Sequence, residues 1–434
     1  MPSRRSKGGL LARVNFPLYT LQMLTSRHIL VGGGGGSSKT GVANGFEIFE
    51  LSHNGAHFIA EEVTRHETGP SVVMNCASHN NGKKTWIVAG QESHCQLYNV
   101  NSKVVTSENG ELIKGPVAPA ANKDGLRHRR NSERVEEVQS QKERSEEVKD
   151  DNSNVKSKKL QLILKPADSV QTAFGNGEPL QRVVRVSLHG RIMATGSTDG
   201  KVRLWKFPQL HKLYDLDAHG NEIDDIDFSP DSSLLVSIAK DGKAFLWSVK
   251  DGARDKELTW TPANGAKYMY KRCRFRKLAE DKTRTDLFML SNATTAKNLS
   301  YLQLWDANTG AIVKSASYKE TLSALAVSDD GHFVAVGTMF SGSVDIFVAF
   351  SLRKALHVPG AHSMFVTGLE FLPTSLDGPA ITSNTETAVV SISVDNRICI
   401  HSIPFRHTLP FWFVIILIAL CICGAFVLCS YLGI

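Results

Sequence analysis

The residues with the clearest chemical potential are five consecutive glycines, Gly32–Gly36, which are followed by Ser-Ser-Lys-Thr and then by Asn44. Lys39 and Thr40 resemble the end of a phosphate-binding loop, but that motif requires Gly directly before Lys and a helix directly after it. Here Ser38 precedes Lys39, and the alternating pattern of a strand follows. The sequence therefore argues against nucleotide binding by this chain itself.

A glycine run can also do chemistry through its backbone. Five glycines cost backbone entropy and add no packing, so a close approach of another group or an unusual backbone geometry is the expected cause. Exposed carbonyl groups of such a run can coordinate a hard monovalent cation, as carbonyl rings do in channel filters. A flexible turn without chemistry is the structural alternative.

Sets of His, Ser and Asp are the second candidate for chemistry, because a hydrolase uses these residue types as a catalytic triad. One set recurs in the sequence, and no nucleophile-elbow motif accompanies it, so we interpret it as the hydrogen-bonded tetrad that braces WD-type propeller blades. The first copy consists of His219, Ser237, Asp241 and Trp247. The second consists of His362, Ser391 and Asp395, with His401 in the position of Trp.

An internal repeat predicts the elements that position these residues. ATGSTDGKVRLW ends at Trp205, VSIAKDGKAFLW ends at Trp247, 42 residues later, and looser copies end at Phe49, Tyr98, Trp305, Phe347 and His401. Alternating apolar and polar residues, with Gly, Asp or Asn at each turn, predict antiparallel strands. A period of about 40 to 50 residues with four strands is typical of propeller blades. The sequence therefore predicts an all-β, seven-bladed WD-type β-propeller over residues 1–407.

Two irregularities interrupt this repeat. Residues 102–158 are polar, and Lys123–Lys159 holds 11 basic and 9 acidic residues, so this stretch has too little apolar surface for a core and predicts a disordered insertion in the second blade. The seventh blade ends after its third strand. An N-terminal strand within Leu10–Asn15 is expected to supply the fourth strand and close the ring.

The C-terminal segment Phe411–Leu432 has no charged residue. As a helix it would be about 33 Å long, enough to cross a hydrocarbon core of about 30 Å. Arg406 and His407 flank it on the near side, and this asymmetry predicts that residues 1–407 face the cytosol. The four cysteines outside the segment lack metal-ligand spacing, which agrees with reduced thiols.

Several of these segments together resemble one family. GGGGGSSKTGVANG, FPLYTLQM, AGQESHCQL, ATGSTDGKVRLWK, VAFSL, AHSMFVTGLEFLP and the terminal anchor are similar to the endoplasmic-reticulum guanine-nucleotide exchange factor family for the secretion-associated Ras-related GTPase. The resemblance covers nearly the whole chain except the charged insertion. It implies a single-pass membrane protein of the endoplasmic reticulum that exchanges GDP for GTP on that GTPase and starts coat protein complex II assembly. It implies neither covalent chemistry nor a nucleotide bound by the chain itself.

The resemblance also implies a site. In the family the glycine-rich loop binds potassium and engages the GTPase, and the Asn near its end is tied to exchange activity; the matching position here is Asn44. The implied potassium ligands are carbonyl groups within Gly32–Gly36 and Asn44. Glu67 and Thr68, at the start of the next blade, are expected on the same rim. The implied GTPase-binding loop consists of Gly32, Gly33, Gly34, Gly35, Gly36, Ser37, Ser38, Lys39, Thr40, Gly41, Val42, Ala43 and Asn44.

Two rival functions belong to other classes. A transcription regulator needs a basic face or a recognition motif, whereas the whole-chain charge is +7 and the basic cluster Arg127, Arg129 and Arg130 has acidic neighbours, so nucleic acid is not an expected partner. A passive membrane scaffold is the other rival, since propellers are common interaction platforms. A scaffold does not require the glycine run, so this run distinguishes an exchange factor from a scaffold.

Overall fold

A computed structural model describes residues 9–36, 41–107, 157–175, 177–262, 265–277, 284–295, 297–374, 381, 385–405 and 411–433. The chain separates into two compact units, one formed by Met1–Asn101 with Leu162–Ile434 and the other by Ser102–Gln161. The described residues form seven four-stranded antiparallel sheets and one helix, α1 (Phe411–Leu432). These sheets are the blades of a seven-bladed β-propeller, as the repeat predicts.

Each blade runs from an inner first strand to an outer fourth strand, and consecutive blades follow in chain order. Blade 1 contains β2 (Leu18–Met23), β3 (His28–Gly33), β4 (Gly45–His53) and β5 (Phe58–Glu67). Blade 2 contains β6 (Asn75–Asn80), β7 (Thr85–Gln91), β8 (His94–Ser107) and β9 (Ser157–Gln171). Blade 3 contains β10 (Gln181–Val186), β11 (Ile192–Ser197), β12 (Val202–Lys206) and β13 (His211–Leu216). Blade 4 contains β14 (Ile223–Phe228), β15 (Leu234–Ala239), β16 (Ala244–Ser248) and β17 (Arg254–Glu257).

The remaining blades follow the same order. Blade 5 contains β18 (Tyr268–Arg276), β19 (Asp286–Ala293), β20 (Ser300–Asp306) and β21 (Ala311–Tyr318). Blade 6 contains β22 (Leu322–Val327), β23 (Phe333–Thr338), β24 (Val344–Val348) and β25 (Arg353–Val358). Blade 7 contains β26 (Val366–Phe371), β27 (Thr385–Ser393), β28 (Arg397–Pro404) and, from the other end of the chain, β1 (Gly9–Arg13). All seven predicted third strands are present.

The strand β1 closes the ring as the sequence predicts. It pairs antiparallel with β28, with Leu10 opposite Cys399 and Arg13 opposite Arg397. The residues that follow it, Val14 and Phe16, are buried in the cluster shared by blades 1 and 7. The N-terminal strand therefore joins the two ends of the propeller through both backbone pairing and apolar packing.

The bounds predicted for the insertion, about 102 and 158, lie close to those of the second compact unit, Ser102–Gln161. β8 continues to Ser107 and β9 begins at Ser157, so the predicted boundaries at 102 and 158 lie inside strands. Polar side chains do not prevent an extended backbone, so the two strands extend into the polar stretch. The rest of the predicted insertion, residues 108–156, lies outside the described residues.

Within the described ranges, the buried apolar side chains form seven clusters. The clusters of blade 4 and its neighbours are filled by tryptophans at the ends of third strands, such as Trp247 and Trp305. The helix α1 is apolar and long enough to cross a membrane by its length and composition, and none of its Phe413–Leu432 stretch is buried against the rest of the chain. Its bounds are those that the sequence predicts.

Candidate functional site

The glycine run begins inside a strand. Gly32 and Gly33 are the last two residues of β3, and Gly32 lies between Thr20 of β2 and Phe46 of β4. A Cβ atom on Gly32 would lie 2.9 Å from Cγ2 of Thr20, and a Cβ atom on Gly33 would overlap the carbonyl oxygen of Pro17. Close approach of neighbouring strands therefore explains these two glycines, in agreement with the expected cause of the run.

The loop itself starts at Gly34. Its backbone N–H donates a hydrogen bond of 3.1 Å to the carbonyl oxygen of Pro17, and its φ of 144° is in a region that favours glycine. A Cβ atom here would overlap Oδ1 of Asn44. Gly36 has a φ of 84° and open space around it, so its glycine is required by backbone geometry alone.

Asn44 joins the two ends of this loop and a second loop beside it. Its side chain is 5% exposed. Oδ1 accepts a hydrogen bond of 2.9 Å from the N–H of Gly36, and Nδ2 donates to the carbonyl oxygens of Gly36 and Gly69 at 3.0 Å and of Pro70 at 3.1 Å. One amide thus braces the glycine loop against the connection between blades 1 and 2.

This geometry changes the physical basis of the predicted role of Asn44. The sequence predicts an amide that is available to compete for backbone groups of a GTPase, whereas the structure uses both its donor and its acceptor inside the chain. Sequence reasoning missed the partners Gly69 and Pro70 because they lie 25 and 26 residues away. The Asn44 side chain therefore positions the glycine loop, and its effect on a bound GTPase stays a prediction.

Glu67 and Thr68 lie beside this brace. The N–H of Thr68 donates a hydrogen bond of 3.0 Å to the carbonyl oxygen of Asn44, and its hydroxyl donates one of 2.7 Å to the carbonyl oxygen of Ser71. Glu67, the last residue of β5, pairs with Gly45. The structure therefore brings Glu67 and Thr68 to the predicted rim, and their contact with a GTPase stays a prediction.

Other members of the predicted loop have different surroundings. Val42 is half-buried against the core cluster of blades 1 and 7, while Gly41 and Ala43 are exposed. Ser37, Ser38, Lys39 and Thr40 lie outside the described residues. The described part of the loop, Gly34–Gly36 with Gly41–Asn44, is thus held at both ends by the brace around Asn44.

The predicted potassium ligands are only partly suited to that role. Gly32 and Gly33 belong to a strand that is paired on both sides, so their carbonyl groups are not loop ligands. The carbonyl oxygens of Gly36, Gly69 and Pro70 converge on Nδ2 of Asn44, whose hydrogen atoms occupy the place between them. Within the described residues, the Asn44 amide therefore forms hydrogen bonds with the carbonyl oxygens that could otherwise be cation ligands. A potassium site in this loop stays a prediction.

The His-Ser-Asp sets form the hydrogen-bonded chains that the repeat predicts. His219 lies 3.0 Å from Asp241 and 2.9 Å from Ser237, and Nε1 of Trp247 donates to Ser237 at 2.9 Å. Burial lowers the pKa of His219, although Asp241 opposes this effect. Because the Ser237 hydroxyl is fully buried and already bonded, it cannot reach a substrate.

The second set has the same arrangement with one difference. His362 lies 3.2 Å from Asp395 and 2.8 Å from Ser391, whose hydroxyl is 2.9 Å from Nε2 of His401. Nδ1 of His401 is buried without a hydrogen-bond partner among the described residues. Burial lowers the pKa of His401 to about 3, so this imidazole is neutral in the fold.

The inner strands form a charged cavity that sequence reasoning missed. It has a volume of about 290 Å³ and lies between the first strands of the blades. Arg185 lies 3.6 Å from Asp225, which also accepts a hydrogen bond of 2.6 Å from Arg274. Burial raises the pKa of Asp227 to about 7, although Arg185 opposes this effect. These pairs link the inner strands of blades 3, 4 and 5, and the signals in the sequence are the acidic residues of β14 and the alternating arginines of β18.

Comparisons with known proteins bear on both the fold and the site. The family model of the WD domain, G-beta repeat, matches residues 171–206 and 210–248, which include the first tetrad. Guanine nucleotide-exchange factor SEC12 of Mus musculus is 34% identical over 424 residues, covering 95% of this chain and 95% of the relative. The protein of the same name from Rattus norvegicus is 32% identical over 433 residues, with the same coverage. SEC12-like protein 1 of Arabidopsis thaliana is 29% identical over 202 residues, which is 45% of this chain and 46% of the relative.

Proposed function

The chain belongs to the SEC12 family of guanine nucleotide-exchange factors, and we propose that it accelerates GDP release from the secretion-associated Ras-related GTPase at the endoplasmic reticulum membrane. The observation that carries this proposal is the similarity to exchange factors over 95% of both chains. Activation of that GTPase would start the assembly of coat protein complex II. The exchange breaks no covalent bond in the GTPase or in this chain.

The physical requirement for exchange is differential binding. A factor accelerates nucleotide release when it binds the nucleotide-free GTPase more tightly than the nucleotide-bound form. Such a preference needs a surface that does not deform when the partner changes shape. The propeller supplies a closed, apolar-packed frame, and the hydrogen bonds of Asn44 fix the glycine loop to that frame.

Asn44 is accordingly a positioning residue in this proposal. Its amide holds Gly36 and the Gly69–Pro70 backbone in one arrangement, and the exposed residues Gly41 and Ala43 of the same loop are accessible to the GTPase. The loop rather than the Asn44 side chain makes the contact. Loss of the brace therefore weakens exchange by disordering the contacting backbone.

The direct experiment measures release of a fluorescent GDP analogue from the GTPase in the presence of the full chain, reconstituted in vesicles. We expect at least about a tenfold acceleration over the spontaneous rate, which corresponds to about 1.4 kcal/mol of transition-state stabilisation. A matched control replaces Lys243, which is exposed in the second-to-third-strand turn of blade 4, with Ala and should retain that acceleration. If the chain binds the GTPase but leaves its nucleotide release unchanged, it is a scaffold and not an exchange factor.

A further inference from the structure

The connections of the propeller divide into two faces. The glycine-loop face holds the connections between blades and those between second and third strands; the hydrogen bond of 3.0 Å from Val14 N–H to the carbonyl oxygen of Asn396 lies there. The anchor face holds the connections between first and second strands and between third and fourth strands. Strands of five or six residues separate the faces by roughly 20 Å.

The C-terminal helix follows the second of these faces. Pro404 at the end of β28 pairs with Thr385 at the start of β27, which places it at the end of the blade where first and second strands are connected. Residues 405–410 then lead to α1, and six residues span at most about 20 Å even when fully extended. A bilayer crossed by α1 therefore lies within a short reach of the anchor face.

One side of the anchor face carries a basic patch with an apolar tip. We define this basic patch by three connections of blades 2 and 3, residues 80–85, 187–191 and 206–211. They contain exposed Lys83, Lys84, Arg191 and Lys206, and they contain no Asp or Glu. Leu188 projects from the middle connection and is 60% exposed.

The basic patch is one packed unit. His79 and Trp86, which flank the first connection, are stacked with ring centroids 6.2 Å apart, and Phe207 of the third connection meets Trp86 edge-on at 6.0 Å. Gly190 of the middle connection lies directly against the imidazole of His79, where a Cβ atom would overlap it. The N–H of Phe207 donates a hydrogen bond of 2.8 Å to the carbonyl oxygen of Arg191. The cations and Leu188 are thus presented together on a fixed surface.

We propose that this basic patch lies against an anionic lipid surface, with Leu188 inserted among the headgroups. Lys and Arg near a negatively charged leaflet gain electrostatic attraction, and an apolar side chain beside them gains by leaving water. Within the part of the chain that the structure describes, none of the four cations forms an ion pair, so their charge is available to a partner. The chain leaves the propeller for α1 from the same face, and this exit selects lipid rather than nucleic acid as that partner.

The test uses the full chain reconstituted in vesicles with brominated acyl chains, which quench tryptophan only on contact. Leu188→Trp reports on the basic patch, and Phe340→Trp is the matched control, because Phe340 is 77% exposed on the glycine-loop face. In vesicles containing phosphatidylserine we expect the added fluorescence of Leu188→Trp to be quenched at least about twice as strongly as that of Phe340→Trp. Vesicles of phosphatidylcholine alone should reduce this difference, as should high salt.

Charge reversal provides the second variant. Lys83→Glu, Lys84→Glu and Arg191→Glu, combined with Leu188→Trp, should remove the extra quenching while the protein still resists extraction from the vesicles. Equal quenching of Leu188→Trp and Phe340→Trp in anionic vesicles would overturn the proposal. The proposal is equally overturned, in favour of nucleic acid, if quenching is equal while a short oligonucleotide binds the Leu188→Trp protein and the charge reversal abolishes that binding. This inference is independent of exchange activity, which the quenching does not report.

Discussion

The side chain of Asn44 shows how a single amide can determine the shape of a loop. Its side-chain carbonyl oxygen accepts a hydrogen bond from the N–H of Gly36. Its amino group donates hydrogen bonds to the carbonyl oxygens of Gly36, in the glycine loop, and of Gly69, in the connection between blades 1 and 2. Serine or aspartate in this position offers no pair of donors, and glutamine is one methylene longer. The residue type is therefore explained by the hydrogen bonds inside the chain, before any partner is considered.

Replacement of this amide is the first prediction. Asn44→Ala leaves the N–H of Gly36 and the carbonyl groups of Gly69 and Pro70 without partners, and we expect nucleotide exchange to slow by at least about tenfold, or about 1.4 kcal/mol. Loss of the buried hydrogen bonds should also lower the free energy of unfolding by about 1 to 3 kcal/mol. Fluorescent-nucleotide release and thermal melting of the same preparation measure the two effects.

Asn44→Asp separates positioning from direct contact. The carboxylate keeps an acceptor for Gly36 but places negative charge against the carbonyl oxygens of Gly69 and Pro70, so exchange should fall as it does in Asn44→Ala. Hydrogen exchange at the Gly34–Gly36 amides should become faster in both variants. Slower nucleotide release with unchanged amide protection would show instead that Asn44 contacts the GTPase directly.

The cation dependence of exchange is the second prediction. If carbonyl groups in the loop from Gly34 onward hold potassium, replacing potassium by lithium should slow exchange by the wild-type chain more than exchange by Asn44→Ala, because the variant has already lost the ordered loop. Release rates measured in both salts, for both proteins, provide the four values needed. Equal effects of lithium on the two proteins would assign the salt dependence to the GTPase.

The buried imidazole of His401 gives the third prediction. Its pKa is about 3 in the fold because of burial, against about 6.5 in the unfolded chain. Below pH 6.5 this imidazole binds a proton in the unfolded chain but not in the folded chain. The free energy of unfolding therefore falls as the pH falls towards 3, by at most about 1.4 kcal/mol per pH unit for this residue. The melting temperature should therefore fall between pH 7 and pH 5.

His401→Gln tests the assignment of that acid sensitivity. The Gln amide retains a donor for Ser391 and does not titrate, so the loss of melting temperature between pH 7 and pH 5 should be smaller than in the wild type. His57→Gln, at an exposed turn of blade 1, serves as the control and should follow the wild-type curve. Identical pH curves for all three proteins would exclude His401 as the source.

At the scale of elements, ring closure depends on the strand β1, because it covers the outer edge of β28. Deletion of residues 1–13 removes a ladder that runs from Gly9 to Arg13, and we expect a loss on the order of 3 kcal/mol from its hydrogen bonds. The exposed edge should also promote aggregation. Thermal melting and light scattering measure both effects, and a deletion limited to residues 2–8 is the control. A 1–13 deletion that melts like this control would show that the blade does not need its fourth strand.

The sequence predicts the strands and blades better than it predicts the hydrogen bonds between loops. Seven third strands were recognisable because each ends near an aromatic or His residue in a repeated pattern of alternating strands, and the missing fourth strand of blade 7 pointed to the N-terminus. The extension of β8 to Ser107 and the start of β9 at Ser157 were not predicted, since the polar residues there give no apolar signal. The partners of Asn44 were not predictable, because a hydrogen bond between loops that lie 25 residues apart has no local pattern.

At the scale of the whole molecule, the glycine loop and the exit of the chain towards α1 lie on opposite faces of the propeller. The glycine loop lies on one face, while β28 ends on the other face and leads to the apolar helix α1. If the basic patch rests on lipid, a GTPase bound to the glycine loop is held roughly 20 Å or more above the headgroups. The propeller then acts as a spacer of fixed height, and the rigidity of its blades sets the distance between partner and bilayer.

Membrane topology is the last prediction, and the structure decides how to test it. We expect the propeller to face the cytosol, because basic residues flank only the near side of α1. The natural acceptor sequence at Asn292 is uninformative, since its amide is buried and hydrogen-bonded to Leu322, so a missing glycan there has a structural cause. Ala56→Thr creates an acceptor at the exposed residue Asn54, and it should remain unmodified in microsomes while an acceptor peptide appended to Ile434 is glycosylated. Added protease should also degrade the propeller in sealed vesicles. A glycan on Asn54 together with a protected propeller would place the domain in the lumen and remove it from any cytosolic GTPase.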